Sequence, residues 1–191
     1  MRTLKINKSI HLMGAVAGLL MSSAVGAGEA PRQHAGPVSA DTIHRLEAWG
    51  TPGPIVAADG LYFAGQPDPG GFAQAAAAGV TQVINIRGAD EVNWDIAAVV
   101  ENAGMEYHHA PLVLSRQGID AASAARISAL VQELAGETVL IHCASGNRVA
   151  VWWALHLAAE HGMNADDVVQ LAELAGMNTS LAPLVEANLR Q

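Results

Sequence analysis

Beyond Lys8 the 191-residue chain has no lysine, and Cys143 is its single cysteine. One cysteine excludes an internal disulfide. The three basic residues Arg2, Lys5 and Lys8 precede an apolar stretch over residues 12–25, and Val25-Gly26-Ala27 offers a small-x-small cleavage site. That arrangement is a secretory signal peptide over residues 1–27. The apolar run falls short of the ~20 residues that a membrane span needs. Stable membrane insertion after cleavage is therefore not expected, and the mature chain is expected across the inner membrane, in the periplasm. Disulfides are permitted there, so a lone free thiol is either a reactive group or an intermolecular partner.

Cleavage would leave seven arginines against 18 acidic residues and move the formal charge from -8 to -11. So acidic a surface repels nucleic acid and anionic membranes. Neither is expected as a partner, and an anionic substrate would be held by local geometry. No internal repeat or low-complexity tract follows residue 27, and what remains suits one domain with a full core.

Residues 28–54 read as a linker and lead-in with Pro31, Gly36 and Pro37, a short helix near residues 41–48, and Trp49 as tether. Pro52-Gly53-Pro54 closes it with turn chemistry. Residues 55–191 carry the main domain. Strands over 55–57 and 61–64 flank an Asp59-Gly60 turn, a hairpin signal. Asp68 as N-cap and Pro69 at the first helical position open a helix that Gly79 stops. A strand over 81–86, a helix over 94–103, a strand over 105–110 and a loop over 110–118 come next. Asp120 caps a helix over 121–135, a strand runs into Cys143, and helices follow over 148–160, 165–175 and 180–189. Strands alternating with helices predict an α/β three-layer sandwich with a mostly parallel central sheet of about four to five strands.

The chemistry converges on Val139-Leu140-Ile141-His142-Cys143-Ala144-Ser145-Gly146-Asn147-Arg148. A β-branched run ends at His142-Cys143, a glycine-containing loop follows, and a helix opens near Arg148. In a parallel sheet that loop lies at the carboxyl end of the strand, where ligands bind. Loop amides of Ala144, Ser145, Gly146 and Asn147 and the helix N-terminus favour an anion there. Cys143, expected at the rim of the hollow, is the candidate nucleophile, its thiolate favoured by the helix end and Arg148. His142 is expected to brace the loop by hydrogen bonds. His108-His109 and His142 do not make a persuasive metal set, because neighbours on a strand face opposite ways. No metal or other cofactor is expected. Trp152-Trp153 is read as packing against the sheet, and His44 and His161 as surface residues.

His142-Cys143-Ala144-Ser145-Gly146-Asn147-Arg148, followed by Trp153-Ala154-Leu155, resembles the bacterial beta-lactamase-hydrolase-like family with a phosphatase-like domain. Members of that family are also labelled sulfur transferases. Ala64-Gly65-Gln66-Pro67 and Val83-Ile84-Asn85-Ile86-Arg87 resemble segments that the family shares with dual-specificity phosphatases, over about residues 60–189. The resemblance implies a cysteine-phosphatase-like fold and a structural role for Arg87, paired with Glu91 or Glu101.

Two reactions share this nucleophile. A cysteine phosphatase attacks phosphorus, holds three oxygens with loop amides and arginine, and protonates the leaving group with an aspartic acid. A rhodanese-type sulfurtransferase takes a sulfane sulfur as a persulfide and passes it to an acceptor. Four residues separate Cys143 from Arg148, as in rhodanese-like loops, where the phosphatase signature has five. Val149 stands where phosphatases carry a Ser or Thr, and no Asp lies between Pro111 and Gly118. Asp120 is the nearest general-acid candidate, a weak one, since capping a helix accounts for it. These features favour a sulfurtransferase acting on a small sulfane-sulfur anion. A phosphomonoester hydrolase is the alternative, and a non-catalytic anion-binding module the third.

Overall fold

The structure, a computed structural model, describes residues 38–115 and 118–190. The expected signal peptide lies outside the described residues, as does the first part of the lead-in. Eight strands are described: β1 His44–Leu46, β2 Ile55–Ala58, β3 Leu61–Ala64, β4 Gln82–Asn85, β5 Glu106–His109, β6 Leu114–Ser115, β7 Gly118–Ile119 and β8 Val139–His142. The six helices are α1 Pro69–Ala77, α2 Ile96–Asn102, α3 Ala121–Glu133, α4 Asn147–His161, α5 Ala165–Leu174 and α6 Ala182–Leu189.

Six strands form one sheet in the order β1-β2-β3-β8-β4-β5, while β6 and β7 pair separately. From β3 to β5 the strands are parallel, and β1, β2 and β3 are antiparallel neighbours. The α/β sandwich with a mostly parallel sheet therefore stands, with one strand more than expected. Strands β3, β4 and β8 are buried along their whole length, as strands covered on both faces must be. Alternation divides the core in two. Leu140 points with Val83, Phe72 and Val100 toward α1 and α2, while Val139 and Ile141 point with Ile127, Trp153 and Leu157 toward α3 and α4. Both tryptophans of α4 are fully buried, and burial at about 1.5–3 kcal/mol for a large apolar side chain makes them core anchors, as the sequence indicated.

The extra strand corrects one local expectation. Residues 41–48 do not form a helix; a single 3-10 turn, Ala40–Thr42, leads into β1. His44, Arg45 and Leu46 pair with Ala57, Val56 and Ile55. The hairpin edge offers an unpaired row of main-chain donors and acceptors, and a short polar segment gains more from filling it than from one isolated helical turn. Arg45 then donates through Nη2 to the carbonyl of Leu174 at the end of α5, 3.0 Å away. Trp49 packs edge-on against Tyr62 at 5.1 Å. This part of the lead-in is thus built onto the sheet.

Candidate active site

Strand β8 delivers Cys143 to the carboxyl edge of the sheet, and the end of β3 holds the loop that follows. The Cys143 amide donates to the Ala64 carbonyl at 3.3 Å and the Gln66 amide to the Ala144 carbonyl at 3.1 Å. Gly65 forms an antiparallel bridge with Ser145. A β-carbon on Gly65 would lie 2.9 Å from Pro52 Cδ and 3.2 Å from the Ala144 oxygen, so only glycine lets the two segments approach this closely.

Gly146 turns the loop into α4. Its φ of +88° lies in the left-handed region, and its N–H donates to Cys143 Sγ at 3.1 Å. The sulfur therefore faces the Gly146 amide. Its position differs from expectation: Cys143 is 1% exposed and packs among core residues, not at the rim of a hollow. Strand β8 runs through the middle of the sheet, and the loop folds back over its last residue. Asn147 locks the loop from the far side. Its Oδ1 accepts from the Asn178 amide at 2.6 Å, and its Nδ2 donates to Ser145 Oγ at 3.1 Å.

Arg148, in the first turn of α4, is held by Glu91. Nη1 donates to Oε1 at 2.7 Å, and Nη2 donates to Oε2. Two parallel bonds from a planar guanidinium fix direction as well as distance. Glu91 first, then the charge of the nearby cysteine, hold the guanidinium more firmly protonated than usual. Glu91 is pushed down to about 2, chiefly by its bonds to Arg148, so it is a carboxylate throughout the physiological range.

A second arginine supports this pair. Arg87 Nη1 donates to Gln66 Oε1 at 2.8 Å, and its Nε lies 3.5 Å from Glu91 Oε2. Its partner is thus Glu91 and not Glu101. Gly88 donates its amide to Glu91 Oε1 at 2.8 Å. Gln66, Arg87, Glu91 and Arg148 form one chain of contacts. Glu91 had a local signal only as a neighbour of Arg87; its bond to Arg148 spans 57 positions and has no signature in the sequence. Asn178, Gly65 and Gln66 were likewise not singled out as site residues.

His142 differs from expectation. The residue is fully buried, and among the described residues neither ring nitrogen has a hydrogen bond of good geometry. Burial, against a smaller opposing effect of the Cys143 main chain, pushes its pKa down from 6.5 to about 3. The ring is neutral and braces the loop by packing, edge-on against Phe72 at 5.6 Å. Like Leu140 it points toward α1, a face that is apolar, and it finds no partner there.

Asp120 caps α3, its Oδ2 accepting the Ser123 amide at 2.9 Å. The residues before it form the small β6–β7 ribbon. His108 Nε2 meets Gln82 Oε1 at 2.7 Å and His109 Nε2 the Arg87 carbonyl at 2.8 Å, so each of the doublet has its own partner away from the sulfur.

A parallel sheet whose central strand ends in cysteine, loop and arginine is the cysteine-phosphatase fold, and solved structures share it. The sequence profile of the beta-lactamase hydrolase-like protein, phosphatase-like domain matches residues 55–160, and the chain belongs to this family. A candidate phosphatase from Neisseria meningitidis Z2491 is 27% identical, with a TM-score of 0.56 over 68% of this chain and 93% of that one. A candidate phosphatase from Shewanella putrefaciens CN-32 is 20% identical, with a TM-score of 0.57 over 78% and 86%. TpbA of P. aeruginosa, solved as a cysteine-to-serine variant in complex with phosphotyrosine, is 16% identical, with a TM-score of 0.53 over 76% and 96%. No protein of curated function matches the chain by sequence.

Proposed function

We propose that the protein is a cysteine-dependent phosphomonoester hydrolase acting on aryl phosphates. The observation that carries this reading is the Gly146 N–H directed at Cys143 Sγ with the Arg148 guanidinium beside it. Main-chain donors and a fixed guanidinium around a nucleophile suit a phosphoryl group, whose oxygens gain charge as the ester bond breaks. The family, and a similar fold that holds phosphotyrosine, support the same substrate class.

In the first step Cys143 Sγ bonds to phosphorus, the ester P–O bond breaks, and the leaving oxygen departs with the bonding pair. Glu91 is ionised and bound to Arg148, and Asp120 is engaged at a helix cap. With neither carboxyl as acid, the reaction is confined to leaving groups stable as phenolates. In the second step water attacks phosphorus, the P–S bond breaks with its pair returning to Cys143 Sγ, and inorganic phosphate is released. Val149 offers no hydroxyl to assist it, so an initial burst of phenol followed by slower turnover is expected.

Sulfur transfer remains the second reading because four residues, not five, separate Cys143 from Arg148. There Sγ would bond to the outer sulfur of thiosulfate and release sulfite, and cyanide would take that sulfur as thiocyanate. Wild type and Cys143→Ser are to be assayed with 4-nitrophenyl phosphate and with thiosulfate plus cyanide. Nitrophenol release that needs Cys143 is the expected result. Thiocyanate alone would establish the second reading. Sulfate bound equally by both proteins, with neither product formed, would leave an anion-binding module. We also propose export to the periplasm, from the basic start, apolar run and small-x-small site of residues 1–27.

A further inference from the structure

The opposite end of the sheet carries a cluster that the loop chemistry does not use. The β2–β3 turn has two consecutive left-handed residues, Asp59 at φ +51° and Gly60 at +73°, the backbone of a tight hairpin turn. The Asp59 side chain is only 10% exposed, and its Oδ2 lies 3.8 Å from Nε2 of His161, the last residue of α4. His156, one and a half turns earlier on α4, is 6% exposed. One ligand atom from each of the three lies within 4.8 Å of the others. A cavity of about 380 Å³ adjoins them and is also lined by Glu160.

We propose that Asp59, His156 and His161 form a binding site for a divalent cation of the zinc type. Zinc takes imidazole and carboxylate at about 2.0–2.2 Å, and tetrahedral ligand atoms then stand ~3.4 Å apart. Closing the cluster onto an ion asks for a shift of ~1.4 Å or less. His161, at a helix end with its side chain 35% exposed, can supply it. The 3.8 Å separation from Asp59 is long for a hydrogen bond.

The support around the cluster is that of a ligand set. His156 Nδ1 pairs with Ser128 Oγ at 3.0 Å, and its ring stacks on Trp152 at 5.0 Å. A ligating histidine engages its second nitrogen in this manner, which fixes the tautomer and the ring direction. Nε2 is then the nitrogen left to bind. Glu160, whose Oε2 accepts from Gln132 Nε2 at 2.9 Å, or a water would complete four-coordination. The ion would tie the β2–β3 turn to the carboxyl end of α4, the helix that begins at the Cys143 loop.

The test is calorimetric titration of zinc chloride into untagged, metal-free protein, with Cys143→Ser as the background so that the thiol cannot compete. One zinc per chain with a Kd of micromolar or tighter is expected. Asp59→Asn, which suits the left-handed turn as well as aspartate does, and His161→Gln should each weaken binding at least tenfold. Zinc at a hundredfold over Kd should raise the Tm by ~5 °C or more in the parent and not in these variants. Cobalt(II) should give the visible bands of a four-coordinate site. Absence of binding, or binding of equal strength in both variants, would overturn the proposal. Nitrophenol release by the same substitutions in a chain retaining Cys143 should be unchanged, which separates this site from the loop.

Discussion

Glu91 holds Arg148 with both carboxylate oxygens, across 57 positions of sequence. Those bonds occupy both terminal nitrogens of the guanidinium. An oxyanion above Cys143 must therefore share the guanidinium with Glu91 or displace it. The pair makes Glu91 a positioning residue for the arginine.

Glu91→Ala should lower kcat/KM for 4-nitrophenyl phosphate about tenfold or more, since an unfixed arginine forfeits the benefit of orientation. Glu91→Asp should recover part of the loss and Glu91→Gln less, because the neutral amide cannot accept two charge-assisted bonds. Unchanged kinetics in Glu91→Ala, with the fold intact by circular dichroism, would remove Glu91 from the site.

Leaving-group dependence should be steep. With Glu91 ionised and Asp120 capping α3, 4-nitrophenyl phosphate should react at least a hundredfold faster than phenyl phosphate. Near-equal rates would mean that a general acid operates, and Asp120→Asn would then be the variant to measure.

Gly146→Ala places a β-carbon at φ +88°, which costs about 1–2 kcal/mol. The nearest atoms to that β-carbon lie 3.7 Å away, so the penalty is conformational and not steric. The chain should still fold, with a lower urea midpoint. Activity should fall further than stability, because relaxing this φ turns the N–H away from Sγ. An active, fully stable variant would contradict the loop geometry.

Acid should weaken the fold through three groups of the same sign. His142 is pushed down from 6.5 to about 3, and Glu91 from 4.5 to about 2; His156 is also lowered by burial. Each binds its proton less readily folded than unfolded, so its contribution is complete above the unfolded pKa and is lost as pH falls toward the folded one. For His142 that window opens near pH 6.5 and extends toward 3, with a slope of at most about 1.4 kcal/mol per pH unit. His142→Leu removes two unpartnered ring nitrogens and should be neutral or stabilising at pH 7.5. It should also flatten the decline of the urea midpoint between pH 6.5 and 4.5. An unaltered slope would assign the linkage to His156.

Export is checked by fractionation and amino-terminal sequencing of the protein made in a Gram-negative host. The mature chain should be periplasmic and begin at Gly28. An intact Met1 in the cytoplasm would contradict the signal peptide.

Local rules were enough for much of this molecule. Buried strands betray themselves by runs such as Val139-Leu140-Ile141, and helix starts by a capping side chain, as at Asp120, or by one followed by proline at the first helical position, as at Asp68-Pro69. The cysteine, the turn glycine and Arg148 lie within six residues of one another, so the loop that joins β8 to α4 could be read as the candidate site before any fold was known. Tertiary structure decided what depends on partners distant in the chain. Residues 44–46 became a strand because β2 had a free edge, and Cys143 is buried because β8 runs through the middle of the sheet. His142 lost its hydrogen bonds because strand alternation turned it toward Phe72. Glu91 met Arg148, and Asp59 met His161, only because the chain folded, since pairing across such separations follows from topology and leaves no periodicity to read.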